Sequence, residues 1–424
     1  MPSLTPNQVR GFWAAWAGWT LDGMDSFLYA LVLVPALRDL LPRTGIAATQ
    51  ANIGFYGGVL FAVFLTGWGF AFLWGPVADR FGRVRTLILT VLCYSLFTFL
   101  GCAAASVWQL AGFRLLAGAG IGGEWTLGGV FVAEEWPEER RVQGAAWMHT
   151  GYYFGTFLAA LVNYTIGARY GWRAVFAIGG TPALLVAFIR YSVAEPKRWQ
   201  RRLQQLDRPW GARDAFFALF SPEYRRRTVV NAVLLFVSMV GLWAGSAYVP
   251  SSITFLASRE GFAPAAAARL ASYATMLLSA GTLLGCLLLP PIADRLGRRR
   301  TLALYFLLMF AAISLGFGYL FYLPAGALAR FLVCLFFLGI GGANFAVYTL
   351  WLPEQYRTEC RGSAFAFATS CGRFLAAGIT FLVGAGISRM HSIGTPVALT
   401  SFAFLFGLAL LPLALETGGK ELPV

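Results

Sequence analysis

The chain is built from apolar runs of about 20 residues, the length that a helix needs to cross a lipid bilayer. Short polar segments separate these runs along the 424 residues. The predicted spans 1 to 12 cover residues 11–37, 52–77, 86–105, 109–134, 142–167, 173–193, 228–256, 266–291, 301–321, 327–352, 362–388 and 394–415. The runs are continuous and do not alternate with polar residues, which favours helices over a transmembrane β-barrel. We therefore predict an all-α integral membrane protein.

Composition and charge agree with a membrane location. Hydrophobic residues make up 58% of the chain and charged residues only 12%, whereas soluble domains carry about 25% charged residues. The net charge of +14 is concentrated in alternate loops, for example at Arg80, Arg83 and Arg85. This asymmetry follows the positive-inside rule and predicts a multi-pass protein of the plasma membrane (the bacterial inner membrane) with both termini in the cytoplasm. The basic residues therefore reflect topology and do not indicate a nucleic-acid partner.

The cysteines and histidines do not form a recognisable site. The six cysteines show no paired spacing, which favours small packing residues over disulfides or metal ligands. They are Cys93, Cys102, Cys286, Cys334, Cys360 and Cys371. The two histidines, His149 and His391, are too few for a metal site.

The two halves of the chain repeat each other. The segment GPVADRFGRVRTL (75–87) is matched by PPIADRLGRRRTL (290–302), and RLLAGAGIGG is matched by RFLVCLFFLGIGG. The segment EEWPEERR is matched in the same way by PEQYRTECR. The offsets are nearly constant, at 215 from Asp79 to Asp294, 216 from Arg114 to Arg330 and 219 from Glu135 to Glu354. The sequence therefore contains two parallel repeats.

These repeats predict two pseudo-symmetric six-helix bundles. The bundles cover residues 1–194 and 228–416, with a basic cytoplasmic linker at 195–227 and a cytoplasmic tail at 417–424. Parallel repeats with a binding site at the membrane midplane between them are a transporter architecture.

Several motifs make the chain similar to a known family. The doubled ADRxGRxRTL loops, the RLLAGAGIGG segment and the basic central linker resemble the major facilitator superfamily along essentially the whole chain. Within it, GEWTLGG in span 4, AEPKRW after span 6 and ETGGKEL after span 12 resemble carboxylate–proton symporters of the sialate and lactate (metabolite) type. The LDGMD segment of span 1 is similar to the aromatic-acid–proton symporters. The resemblance implies the major facilitator fold and proton-coupled transport, and no enzyme activity.

Span 1 carries two acidic residues where a membrane helix rarely tolerates them. A charged side chain at the bilayer centre costs roughly 2.5–3.5 kcal/mol on insertion scales. Asp22 and Asp25 share one helix face, and two close carboxylates in a low-dielectric environment do not readily ionise together. We therefore expect a proton to be carried at this pair. In the alternative interpretation, both acids cap a helix break at Gly23.

Span 4 contributes a third acid and an arginine. Glu124 lies ~16 Å from Glu135 along the helix, given 1.5 Å per residue. Its counterpart in the second repeat is Ala343, so the scaffold does not require an acid there. The resemblance implies that Arg114 pairs with Asp25, which leaves Asp22 nearer to Glu124. The predicted proton-coupling residues are Asp22, Asp25, Arg114 and Glu124. The alternatives for Glu124 are a structural pair with Arg114 or a hydrogen bond to a neighbouring helix.

Arg373 is the predicted substrate-binding residue. It is the only base in the middle of the second half, and its planar guanidinium matches a carboxylate. The aromatic-acid symporters show a similar arginine in span 11. The alternative is a structural partner for Asp22 or Glu124. The other predicted substrate-binding residues, each of which could instead be helix packing, are His149, Trp125, Tyr152, Asn344, Tyr348, Trp243 and Tyr248.

The two ADRxGRxR loops are predicted to latch one conformation of a rocking cycle. An acid recurs in both loops, although a merely topogenic basic loop would not need one. The predicted latch residues are Asp79, Arg80, Arg83, Asp294, Arg295 and Arg298.

The function predicted is uptake of a small organic carboxylate by proton symport with alternating access. The expected partners are this substrate, protons as the coupling ion and the lipid bilayer; we expect a monomer and no metal or other cofactor. Two alternatives stay open. A sugar or polyol symporter would show amides and hydroxyls in place of a midplane arginine, and an efflux antiporter would differ in the direction of flux. A nutrient receptor and a membrane enzyme are disfavoured, because the chain has no evident signalling extension and no catalytic constellation.

Overall fold

The computed structural model describes residues 4–181, 193–197, 199–201, 212–246 and 248–423. Within these ranges all regular structure is helical, as predicted. The first half contains α1 (Pro6–Arg43), α2 (Gln50–Gly69), α3 (Trp74–Phe81), α4 (Arg83–Gly101), α5 (Val107–Glu135), α6 (Arg141–Val162) and α7 (Ala168–Gly179). We call this set of helices the N lobe.

The second half repeats this arrangement. A short helix, α8 (Ala212–Ala218), precedes it. The second set of helices, which we call the C lobe, consists of α9 (Arg225–Ser246), α10 (Val249–Arg259), α11 (Pro264–Gly318), α12 (Ala327–Gly342), α13 (Asn344–Trp351), α14 (Arg361–Met390), α15 (Gly394–Leu399) and α16 (Phe402–Leu410). Spans 2, 7, 10 and 12 are each divided between two helices, and α11 contains both span 8 and span 9. Residues 182–192, most of the second half of span 6, and residues 198 and 202–211 of the linker lie outside the described residues.

Seven helical stretches in the described part of the chain are long and apolar enough to cross a membrane. They are Phe55–Phe81, Arg83–Gly101, Val107–Glu135, Arg269–Tyr322, Ala327–Gln355, Arg361–Ile387 and Gly394–Leu413. The 54 residues of Arg269–Tyr322 exceed what one crossing needs, so this stretch passes through the bilayer twice.

The first helix is continuous through its acidic residues. A capping box at Thr5 starts α1, and the helix runs to Arg43 without interruption at Gly23. The alternative that Asp22 and Asp25 cap a break there is therefore wrong. Gly23 instead allows α1 to approach α6, because a Cβ at this position would clash with the carbonyl of Tyr152.

The turns of the two repeated loops depend on glycine. Gly82 (φ 114°, ψ 152°) separates α3 from α4, and Gly297 (φ 77°, ψ 176°) reverses the direction of α11. Both residues occupy a region of backbone space that is essentially restricted to glycine. The repeat seen in the sequence thus reappears as the same backbone turn in each lobe.

Substituting Gly297 by alanine is expected to lower the thermal stability of the purified protein, because this backbone conformation costs an L-residue of order 1–3 kcal/mol. Gly112 is a matched control: it lies within α5, and a Cβ there meets no atom within 4 Å. Thermal unfolding of G297A and G112A in the same detergent tests this, and equal stability of the two variants would contradict it.

Candidate functional site

Arg114 and Asp25 form a buried ion pair inside the N lobe. Arg114 Nη1 lies 3.2 Å from Asp25 Oδ2 and 3.3 Å from Oδ1, which is the pairing that the resemblance implies. The guanidinium also lies over the rings of Tyr29 and Phe64, with its central carbon 4.5 and 4.4 Å from the two ring centroids. Helices α1 and α5 thereby hold a cation against a carboxylate away from water. The charge of Asp25 is balanced within its own lobe.

Asp22 and Glu124 are fully buried but lack a comparable partner. Neither carboxylate oxygen of Asp22 has a hydrogen-bond partner among the described residues. Glu124 accepts one long hydrogen bond, 3.3 Å from Thr90 Oγ1 to Oε1, and its Oε2 has no partner in the same ranges. The two acids lie within electrostatic range of each other. An unpaired buried carboxylate favours its neutral, protonated form.

Arg373 faces Asp22 from the C lobe. It is 1% exposed on α14, and its guanidinium lies over the Trp68 ring, 4.4 Å from the centroid. It lies within electrostatic range of Asp22 and Tyr152, although no ion pair joins Arg373 to Asp22 in the described part of the chain. Nε and Nη1 of Arg373 have no hydrogen-bond partner there. A buried cation from the C lobe therefore presents two open donors within electrostatic range of the unpaired Asp22 of the N lobe.

We call Asp22, Glu124 and Arg373 the charged cluster. A small cavity lies between the lobes beside it. Its volume of about 30 Å³ has room for one or two water molecules. Hydroxyl-bearing side chains of both lobes contribute to its wall, among them Tyr152, Tyr153 and Thr156 from α6 and Ser279 from α11. Arg373 does not line this cavity in the described structure. Tyr152 connects the two features, because it lines the cavity and lies within electrostatic range of Asp22 and Arg373.

The remaining predicted wall residues divide into two groups. Trp125 and His149 surround Trp19 next to the acids, with ring centroids 5.6 and 5.8 Å from that of Trp19. Tyr348 and Tyr248 instead form hydrogen bonds within the C lobe, to Ser238 and to the carbonyl of Thr380 respectively. The structure therefore does not bring these two tyrosines to the charged cluster.

Two of the predicted substrate-binding residues remain, Asn344 and Trp243. Asn344 is buried at the start of α13, donates to the carbonyl of Gly341 and leaves its Oδ1 without a partner among the described residues. Trp243 lies on α9, but its side chain is outside the part that the structure describes.

A network of buried ion pairs joins the lobes at one end of the bundle. We call this end the basic face and define it by Arg83, Arg141, Arg298 and Arg361. In one triad, Glu134 of the N lobe lies 3.1 Å from Arg83 and 2.9 Å from Arg361 of the C lobe.

The second triad is its repeat. Glu354 of the C lobe lies 2.8 Å from Arg298 and 3.2 Å from Arg141 of the N lobe. The structural counterpart of Glu354 is therefore Glu134, and the sequence pairing of Glu135 with Glu354 is wrong by one residue. Glu135 instead accepts hydrogen bonds from Asn7 and from the backbone of Lys197.

The two latch loops are not equivalent. Asp79 pairs with Arg83 at 2.8 Å and also accepts hydrogen bonds from the backbone of Gly362 and from the backbone and hydroxyl of Ser363, at the start of α14. Asp79 thus caps a helix of the opposite lobe. Asp294 is exposed and makes no hydrogen bond or short ion pair within the described ranges. Arg80 and Arg295, also exposed, are not brought into the cross-lobe network.

Two glutamates that sequence reasoning missed cap the turns of the repeated loops. Glu195, in AEPKRW, accepts from the backbone N–H groups of Arg83, Val84 and Arg85. Burial raises the pKa of Glu195, and these three donors oppose the rise.

Glu416, in ETGGKEL, occupies the equivalent place in the C lobe. Its carboxylate accepts from the backbone N–H groups of Arg298 and Arg299, and from those of Thr417 and Gly418. Burial opposes its ionisation, but these four donors more than offset burial and hold the pKa of Glu416 below its usual value. The recurrence of an acid after spans 6 and 12 was the available signal for both caps.

The cap at Glu416 predicts a pH-dependent contribution to stability. Because its pKa is lowered in the folded protein, the carboxylate stabilises the fold above its unfolded value of about 4.3, and this stabilisation is lost as pH falls through the folded pKa. E416Q should therefore be less stable than the wild type at pH 7, with the difference shrinking below about pH 4. Thermal unfolding of both proteins between pH 7 and pH 3.5 measures this, and a difference that does not change with pH would contradict it.

Comparison with known proteins places the chain in a family. The sequence profile of the Major Facilitator Superfamily matches residues 15–379. A probable 4-methylmuconolactone transporter of Cupriavidus pinatubonensis is 31% identical over 430 residues, covering 98% of this chain and 92% of that protein. The cis,cis-muconate transport protein of Acinetobacter baylyi is 26% identical over 364 residues, covering 84% and 82%. The solved structure of the proton:xylose symporter XylE with 6-bromo-6-deoxy-D-glucose shares the fold, with a TM-score of 0.80, 18% identity and 98% coverage of both chains.

The matched family and these relatives are membrane transporters, so this multi-pass membrane protein is a transporter and not an enzyme. This chain belongs to the Major Facilitator Superfamily.

Proposed function

We propose that this protein imports a small organic carboxylate together with protons, by alternating access. The observation that carries the proposal is Arg373, a fully buried guanidinium of the C lobe that lies within electrostatic range of the unpaired Asp22 and has two nitrogens without a partner among the described residues. A guanidinium fork is well matched to a carboxylate. A buried cation without a hydrogen-bonding partner has a high free-energy cost. Binding of a substrate carboxylate by Arg373 is the simplest explanation for this arrangement.

Asp22 and Glu124 are the proposed proton carriers. Both acids are buried and lack a cation in hydrogen-bonding contact, so each can gain or lose a proton without breaking an ion pair. Asp25 is held by Arg114, and we assign it the role of fixing that arginine. This assignment is narrower than the four-residue set predicted from the sequence.

Coupling follows from the charges of the cluster. While Asp22 is ionised, it attracts Arg373 and competes with a substrate carboxylate for the guanidinium. Protonation of Asp22 removes this competitor, so that the proton and the substrate favour the same state of the transporter. Reciprocal coupling of two ligands requires no more than this.

The relatives support a carboxylate as substrate, since the names of two of them include muconolactone and muconate. Arg373 provides a cation where a sugar porter would need only neutral hydrogen-bonding groups. We further propose that the basic face lies in the cytoplasm of a bacterial inner membrane, that the protein acts as a monomer, and that protons are the only coupling ion. The cross-lobe contacts of Asp79, Arg83 and Glu134 would then keep the cytoplasmic side closed.

Uptake by proteoliposomes tests the proposal. Labelled muconate, gentisate, nicotinate, sialate, lactate and xylose should be compared with and without an imposed pH gradient, acid outside. We expect at least one carboxylate, and not xylose, to accumulate only when the gradient is present. Accumulation of xylose, or export of preloaded acids driven by an inward proton gradient, would contradict the proposal.

A further inference from the structure

A chain of hydrogen bonds joins the lobes between the buried acids and the basic face. Trp125 Nε1, on α5, donates to Thr349 Oγ1 on α13 at 2.7 Å. The same oxygen lies 3.1 Å from His149 Nδ1 on α6. All three side chains are at most 1% exposed. Because Trp125 and His149 belong to the N lobe and Thr349 to the C lobe, these bonds cross the interface that a rocking motion must open.

Thr349 is the centre of this chain. Its hydroxyl has a single proton, and His149 Nδ1 at 3.1 Å is nearer than the carbonyl of Phe345 at 3.5 Å. The hydroxyl accepts from Trp125 and shares a hydrogen bond with His149, whose tautomer sets which of the two groups donates. Removal of this oxygen would leave Trp125 Nε1 and His149 Nδ1 without this partner. The loss would matter only in the state in which the two lobes are in contact at Thr349.

Trp125 also contacts the candidate anion site. The guanidinium of Arg373 lies over its indole at 5.8 Å from the centroid, and Trp19 stacks on it at 5.6 Å. One side chain thus touches both the residue proposed to bind the substrate and the residue that ties the lobes together.

We propose that Thr349 is a positioning residue whose hydroxyl holds the lobes closed toward the basic face, and that Trp125 links this tie to Arg373. The inference rests on the alternating access of the proposed function. In the state open at the basic face, water replaces the Thr349 contacts. The cross-lobe hydrogen bonds therefore favour the closed state by the difference between their free energy and that of the hydrogen bonds to water.

A second cross-lobe hydrogen bond offers a matched control. Thr156 Oγ1 on α6 and Ser279 Oγ on α11 lie 2.8 Å apart. Thr156 is fifteen residues from Arg141, or ~22 Å along α6, whereas His149 is eight residues away, or ~12 Å. This bond is therefore ~10 Å further from the basic face. S279A removes it without leaving an orphan, since Thr156 also donates to the carbonyl of Tyr153.

Hydrogen–deuterium exchange of the full-length protein in nanodiscs tests the inference. The segments of interest are 134–145 and 353–365 at the basic face, with 38–52 and 316–330 as reporters of the opposite face. T349V keeps the side-chain shape but lacks the hydroxyl. We expect it to shift the population toward the state open at the basic face by at least about fivefold, because losing one neutral hydrogen bond typically has this effect and T349V removes two across the interface. Exchange should rise in the basic-face segments and stay equal or fall in the opposite ones.

Three further variants complete the experiment. T349S restores the hydroxyl and should restore wild-type exchange. W125F removes one of the two cross-lobe bonds of Thr349 and should shift exchange in the same direction as T349V, which keeps the test valid if T349V does not fold. S279A should leave exchange at the basic face unchanged. Equal rises at both faces in T349V and W125F, or the same rise in S279A, would overturn the inference. The readout needs no substrate, so it stands even if no carboxylate is transported.

Discussion

Replacing Arg373 by lysine is expected to raise KM for the transported carboxylate about 10–100-fold, because one charge-assisted hydrogen bond of the guanidinium fork contributes about 1.5–3 kcal/mol. Lysine keeps the positive charge beside Asp22 but presents a point charge in place of the planar fork. Removing the charge altogether in R373Q should abolish uptake. Initial rates of uptake into proteoliposomes, measured over a range of substrate concentrations, give KM and the maximal rate for each variant.

Arg330 provides the matched control for this experiment. It is an exposed arginine of α12 in the same lobe, so R330K repeats the chemical change away from the cluster and should leave KM unchanged. If R373K and R373Q transported the substrate with the KM of the wild type, Arg373 would be a structural residue and the proposed binding site would be lost.

Much of the fold could be predicted from the sequence because a bilayer imposes simple rules. A helix is the main way for a segment to satisfy its backbone in lipid, so apolar length alone predicted helices, and seven stretches of the described residues are long and apolar enough to cross a membrane. The repeat of ADRxGRxR predicted two similar lobes, and the turns at Gly82 and Gly297 share a backbone conformation that few other residues adopt. Helix ends were less predictable, since α1 extends to Arg43, beyond its apolar run.

The charged cluster was predictable in part. Ionisable residues inside apolar runs are rare enough to identify Asp22, Glu124 and Arg373 without a structure. The family resemblance implied the pair of Asp25 with Arg114, but the residue pattern of α1 alone could not distinguish Asp25 from Asp22, which has no hydrogen-bond partner among the described residues, because both acids lie on the same helix face. That difference depends on which helix packs against each turn of α1.

The basic face was predicted least well. The motif marked Asp79 and Asp294 as equivalent, yet within the described ranges Asp79 reaches a helix of the opposite lobe and Asp294 does not. Sequence symmetry describes the two lobes separately and carries no information on how they meet. Thr349 illustrates the same limit, since a threonine in an apolar helix has no distinguishing pattern until its partners across the interface are known.

Replacing Asp25 by asparagine is expected to lower the free energy of unfolding by about 3–5 kcal/mol, the usual cost of removing one partner from a buried ion pair. Arg114 would remain fully buried between Tyr29 and Phe64 with no anion to balance it. Thermal and denaturant unfolding of the purified variant in detergent measures the change. A double variant, D25N/R114Q, removes both charges and should recover most of the lost stability.

D22N is the control that separates structure from function at this helix face. Asp22 has no hydrogen-bond partner among the described residues, so neutralising it should leave stability equal or higher, while uptake no longer responds to the pH gradient. The two neighbouring acids are thus expected to respond in opposite ways to the same chemical change. If D22N were as unstable as D25N, Asp22 would be part of the scaffold. If D25N were as stable as the wild type, the ion pair with Arg114 would not be a fixed part of the fold, and Asp25 would return as a proton carrier.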